Sequence, residues 1–211
     1  MSVLKRNRNE SQFEVFHHFY KLRHNITDLL LRDFGWSYEK SQKRLESMFG
    51  GRSYEDLTDS EKEHYNKLKE KYDAFDEWFI ESRRNVVMNC LDNIGEYVFS
   101  ANSIYPNYME ELIERRVEQD KAIGQCNRLL QELQYVINEL PVDVNVYTRF
   151  ADDIQKEINL IKGWRRSDNK FARAFSDSSA NFANVNSNGN ANNNNASNAN
   201  GVRPDFDSAI K

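Results

Sequence analysis

Apolar residues return along most of this chain at steps of three and four. Val15, Phe19, Leu22, Ile26, Leu29 and Leu30 mark one face of a first helix. Phe13, Phe16 and Tyr20 widen that face, as a helix packed on two neighbours requires. Gly35 stands where a left-handed residue ends a helix. Ser37 to Phe49 then reads as a short helix stopped by Gly50-Gly51, an excursion before the second long helix. Thr58 and Glu61 have capping-box spacing, so that helix starts there. Its stripe is Phe75, Phe79, Val86, Cys90, Ile94, Tyr97, Val98 and Ala101, and Pro106 bounds it.

A third helix is predicted from about Tyr108 to Leu140. Its buried face is read as Met109, Leu112, Ile113, Val117, Ile123, Cys126, Leu130, Leu133 and Ile137. The fourth carries Tyr147, Phe150, Ile154, Ile158, Ile161 and Trp164. Short connections make neighbouring helices antiparallel. The expected fold is therefore all-α: an up-down-up-down four-helix bundle over residues 11–173. It has a helical excursion after the first helix, a basic arm at 1–10 and a disordered tail at 174–211. In that tail, eleven of the twenty residues from Asn181 to Asn200 are Asn, and no apolar period could offset the entropy of ordering them.

Composition narrows the function. A net charge of -4 argues against a bulk-basic nucleic-acid binder but leaves room for a local basic surface. The two cysteines, Cys90 and Cys126, sit within apolar stripes and read as small buried hydrophobes. No segment has the run of apolar residues that spans a bilayer, and residues 1–10 lack the apolar core of a signal peptide, so a cytoplasmic protein is expected. Gly50-Gly51 lacks the Lys-Ser/Thr of a phosphate loop, and no nucleophile stands in a recognisable catalytic context. His17, His18, His24 and His64 form no ligand motif and read as solvent or interface residues, so neither a cofactor nor a metal is expected.

Charge is what remains. Lys5, Arg6 and Arg8 lie in an arm segment without an acid, and Lys162, Arg165, Arg166, Lys170 and Arg173 face only Asp168. Cations at a helix C-terminus also answer its dipole. With four helices, the start of the first and the end of the last share one pole, which gathers both clusters and suits an anionic partner. The doublets Arg83-Arg84 and Arg115-Arg116 are further candidates for phosphate contact. Asn85, Asn89 and Asn93 form a strip at four-residue spacing and are candidates for an interface, or for a merely solvated face.

Several segments carry a resemblance. Ser2-Val3-Leu4-Lys5 with Arg8-Asn9-Glu10-Ser11, Leu91-Asp92-Asn93 leading to Ala101-Asn102-Ser103-Ile104-Tyr105-Pro106, and Ser167-Asp168 resemble the accessory variability determinant of diversity-generating retroelements. That family is grouped with four-helix bundle proteins encoded in ribosomal-RNA intervening sequences. The resemblance implies a non-enzymatic homo-oligomer, a pentamer, that partners a reverse transcriptase and its template RNA, with the cDNA as a further ligand, in mutagenic retrohoming. Residues 181–206, ending Gly201-Val202-Arg203-Pro204-Asp205-Phe206, resemble a translated template repeat of such an element. Asn codons begin with two adenines, the base these elements mutate. The competing reading is a general helical adaptor that binds only proteins. Phosphate binding would separate the two by its steep loss with salt.

Overall fold

The structure, a computed structural model, describes residues 10–176 of the 211-residue chain. The arm residues Lys5, Arg6 and Arg8 and the Asn-rich stretch lie outside the described residues. All the described elements are helical: α1 (Glu10–Leu31), α2 (Tyr38–Met48), α3 (Asp59–Ser103), α4 (Met109–Glu139) and α5 (Asn145–Ser167), with short 3-10 turns at Asp33–Gly35 and Tyr54–Asp56. Among the described residues there is no strand. The chain divides after Asn169. Residues 170–176 are helical and belong to the second unit.

The punctuation read from the sequence is in place. Asp33, Phe34 and Gly35 all take positive φ and turn the chain out of α1. Gly50 and Gly51 do the same after α2, at φ 74° and 77°. Thr58 accepts from the Glu61 backbone while Glu61 accepts from the Thr58 N–H, a complete capping box that starts the 45-residue α3.

The four long helices pack in a ring of contacts, α1 on α3 and α5, and α4 on α3 and α5. Cross-helix contacts run antiparallel at each junction. Asn25 meets Asp153 and His18 meets Glu157 between α1 and α5. Phe79 meets Tyr135 and Arg115 meets Ile104 across the α3–α4 side. The core between them holds Val15, Phe19, Leu22, Ile26, Leu29, Val87, Cys90, Leu91, Ile94, Val98, Cys126, Leu129, Phe150, Ile154, Ile158, Ile161 and Trp164. Burying each large side chain there contributes roughly 1.5–3 kcal/mol.

Helix α3 outruns its neighbours, and α2 folds back onto its first turns over a second small core of Leu45, Leu57 and Tyr65. One buried carboxylate pins that excursion. Asp76 accepts from Trp36 Nε1 (2.9 Å), Ser41 Oγ (3.2 Å) and the Arg44 guanidinium (2.8 Å), and Arg44 also donates to the Glu139 carbonyl at the end of α4.

Stripe assignments shift on three helices, and on α1 Tyr20, read as widening the apolar face, is 63 % exposed. On α4, Ile113 and Val117 are exposed, at 55 % and 46 %, although the sequence pattern places them inside. The buried face is instead Leu112, Arg115, Gln119, Ala122, Cys126, Leu129, Leu133 and Val136. This is a strict alternation of threes and fours in which two positions are polar, and those two broke the apolar pattern. On α3, Val87 rather than Val86 is fully buried.

Candidate nucleic-acid groove on α4 and α5

Helix α5 carries Asn159, Lys162 and Arg166 at steps of three and four, so they share one face, and Asn169 follows just past its end. With Arg165 and with Arg116 of α4 they line a surface groove of about 580 Å³. Arg116 donates to the Asn169 side chain at 2.7 Å, and Arg165 pairs with Asp120 at 2.7 Å where both are well exposed. Lys162 and Arg166 have no ion-pair partner among the described residues. Four cations and two amides on one groove suit a ligand with repeated anionic oxygens. The guanidinium forks can grip phosphate in a bidentate way.

The groove has a rigid floor. Arg115, beside Arg116 but turned inward, is 2 % exposed. It donates to buried Asp168 (Nε to Oδ2, 2.9 Å) and to the Ile104 carbonyl (2.7 Å), and its guanidinium lies 5.0 Å from the Trp164 ring centroid. Gln119 donates to the same Asp168 oxygen at 2.9 Å. The end of α3, the start of α4 and the end of α5 are thus tied together directly beneath the groove cations.

The sequence-predicted residues therefore fall into distinct groups. Arg116, Lys162, Arg165 and Arg166 come together. Arg115 does not reach the surface, because its donors are committed internally and adjacent helical residues point about 100° apart. Lys170 belongs to the second unit, where its ammonium lies 5.0 Å from the Phe171 ring centroid. Arg83 bridges α3 to Glu132 of α4 at 2.9 Å, and Arg84 pairs with Asp33 and donates to the Leu30 carbonyl, clipping the end of α1. Both tie helices together, away from the groove. Asn85 and Asn89 are exposed on α3, and Asn93 is half-buried.

Sequence reasoning missed a buried polar pair. His18, placed by the sequence among the solvent or interface histidines, is 8 % exposed, and its Nδ1 lies 2.7 Å from Oε2 of Glu157, which is fully buried. Burial pushes the Glu157 carboxyl up to about 8 and, with the Lys156 charge, lowers the His18 imidazole. Burial also raises both thiols, Cys126 far above its ordinary value, so neither is poised as a nucleophile. Among the described residues no three His, Cys, Asp or Glu side chains gather to hold a metal ion. No helix there is long and apolar enough to cross a membrane. No family model, curated protein or solved structure matches the chain.

Proposed function

We propose that this chain is a non-catalytic accessory subunit of a diversity-generating retroelement. It binds the reverse transcriptase and the template RNA, supporting adenine-mutagenic cDNA synthesis and retrohoming in the cytoplasm. The observation that carries the reading is the α4–α5 groove, where Arg116, Lys162, Arg165 and Arg166 converge on an otherwise acidic chain. Phosphate contacts of this kind supply affinity without demanding sequence. The antiparallel packing of α1, α3, α4 and α5 supports reading them as an up-down-up-down four-helix bundle, with α2 as its excursion. The arm residues Lys5, Arg6 and Arg8, outside the described residues, are proposed as further phosphate contacts. The proposed assembly is a homo-oligomer, a pentamer, that multiplies the groove around a ring. Asn85, Asn89 and Asn93 on α3 are the proposed interface strip, the first two exposed and the third half-buried.

The tail supports the same reading through its coding sequence, since an Asn-dense stretch closed by Gly201-Val202-Arg203-Pro204-Asp205-Phe206 is what a translated template repeat would encode. Sequencing the DNA on either side of the gene tests the assignment. The expected result is a reverse-transcriptase frame together with a near-copy of the tail's coding segment that differs at adenines. Finding neither would return the chain to the competing reading, a helical adaptor that binds only proteins.

A further inference from the structure

At the far end of α5 from the basic groove, the turn after α1, the start of α2 and the middle of α3 enclose a second cavity. Its volume is about 510 Å³, and Asp33, Trp36, Tyr38, Asp73, Glu77, Ile80, Glu81 and Arg84 line it. Four carboxylates stand there against one guanidinium, and Arg84 is already paired with Asp33. Asp73, Glu77 and Glu81 follow one another at four-residue steps on α3, a spacing at which like charges repel one another along a helix face. Lys69 answers only the first of them, and Glu77 and Glu81 have no ion-pair partner among the described residues.

One pairing within the chain has the chemistry that this lining suits. The Lys69 ammonium sits 2.6 Å from Asp73 and 5.0 Å from the Tyr38 ring centroid, one cation shared by a carboxylate and an aromatic face. Further along, Trp36 and Ile80 supply apolar wall and Glu77 and Glu81 supply charge, with no cation of the chain on those two. The Trp36 indole is held from behind by its bond to buried Asp76. An apolar wall for a methylene stem, ringed by carboxylates for its charged head, is complementary to an arginine or lysine side chain.

We infer that this cavity is a docking site for a basic segment of a protein partner, whose arginine or lysine side chain enters between Trp36 and the Glu77–Glu81 pair. The inference uses none of the groove cations and stands whether or not the chain binds RNA.

The test uses the full chain and, as probe, a short acetylated peptide carrying two arginines among glycines, followed by calorimetric titration at low salt. The wild type binds, and Glu77→Gln with Glu81→Gln weakens the peptide by about tenfold or more, the effect of losing two facing charges. Relieving the like-charge ladder leaves helicity and melting temperature intact, so a lost affinity is not an unfolded protein. The control pair Glu110→Gln with Glu114→Gln, exposed on α4, binds as the wild type does. Absence of wild-type binding, or equal weakening in the control, overturns the site. Spermidine displacing the peptide at equal concentration would assign the cavity to a free polyamine and overturn the docking role.

Discussion

His18 of α1 and Glu157 of α5 share a hydrogen bond of 2.7 Å inside the helical core, 139 residues apart in sequence. Lys156, Asp153, Lys21 and Glu14 surround the imidazole at longer range, and Lys156 acts on the carboxyl. Glu157 also leaves Oε1 buried without a hydrogen-bond partner among the described residues. A proton held between the two therefore costs less than a buried charge would.

The pH dependence follows from the two shifts. The folded-state pKa of Glu157 is raised from 4.5 to about 8, so its stabilising contribution is full below 4.5 and is lost as pH rises to 8. That of His18 is lowered from 6.5, so its contribution is present above 6.5 and is lost as pH falls. Between 4.5 and 6.5 the two oppose each other, because the unfolded pair also holds one proton there. Above 6.5 only the Glu157 loss remains. Stability measured by urea unfolding is expected to fall by about 2 kcal/mol between pH 6.5 and 8, near 1.4 kcal/mol per unit for one proton. Glu157→Gln flattens that limb, and an unchanged slope in the variant would remove the pair from the explanation.

Arg115 and Asp168 form a buried ion pair, and breaking one partner strands the other. Arg115→Ala is expected to cost about 3–5 kcal/mol, as is Asp168→Ala. The double replacement Arg115→Ala with Asp168→Ala should cost less than the sum of the singles, because neither charge is left alone. Denaturant unfolding of the three variants gives the coupling directly.

Asp76 joins the turn before α2, α2 itself and α3 through Trp36, Ser41 and Arg44. Asp76→Ala leaves the Arg44 guanidinium, Ser41 hydroxyl and Trp36 indole without their acceptor, at about 1–3 kcal/mol for each that stays buried. The loss should be local. Hydrogen exchange is expected to quicken across residues 38–48 while the core of α1, α4 and α5 keeps its protection. Uniform loss over all helices would show that α2 is integral to the main core.

Gly124 lies inside α4 with open space where a side chain would sit. Gly124→Ala is therefore expected to stabilise the chain by up to about 1 kcal/mol through helix propensity. Melting with and without the substitution checks this. A destabilised variant would mean that another surface closes on that position in solution.

Much of the helical layout was legible in the sequence. The spacing of Val15, Phe19, Leu22, Ile26 and Leu29 reported α1, and Thr58 with Glu61 reported the start of α3, because these signals are local. What escaped was polar and long-range. Arg115 and Gln119 occupy core positions of α4, and their acceptor Asp168 lies 53 and 49 residues away, so the pattern slid onto exposed Ile113 and Val117. The pairing of His18 with Glu157 and the Asp76 hub were hidden for the same reason. The groove was half legible. Lys162, Arg165 and Arg166 stood out as a cluster, but only the packing of α4 on α5 adds Arg116 and turns its neighbour Arg115 inward.

Binding of single-stranded template RNA by the wild type and by Arg165→Glu with Arg166→Glu, each across a salt series, tests the central claim most directly. If the four groove cations each neutralise a phosphate, the wild-type affinity falls with salt at a log–log slope of about -3. The double variant, which loses an exposed pair with Asp120 and two cations from the last turn of α5, stays folded at a cost of about 1–2 kcal/mol and loses RNA association. A folded double variant that binds RNA as tightly as the wild type, with the same salt slope, would contradict the account.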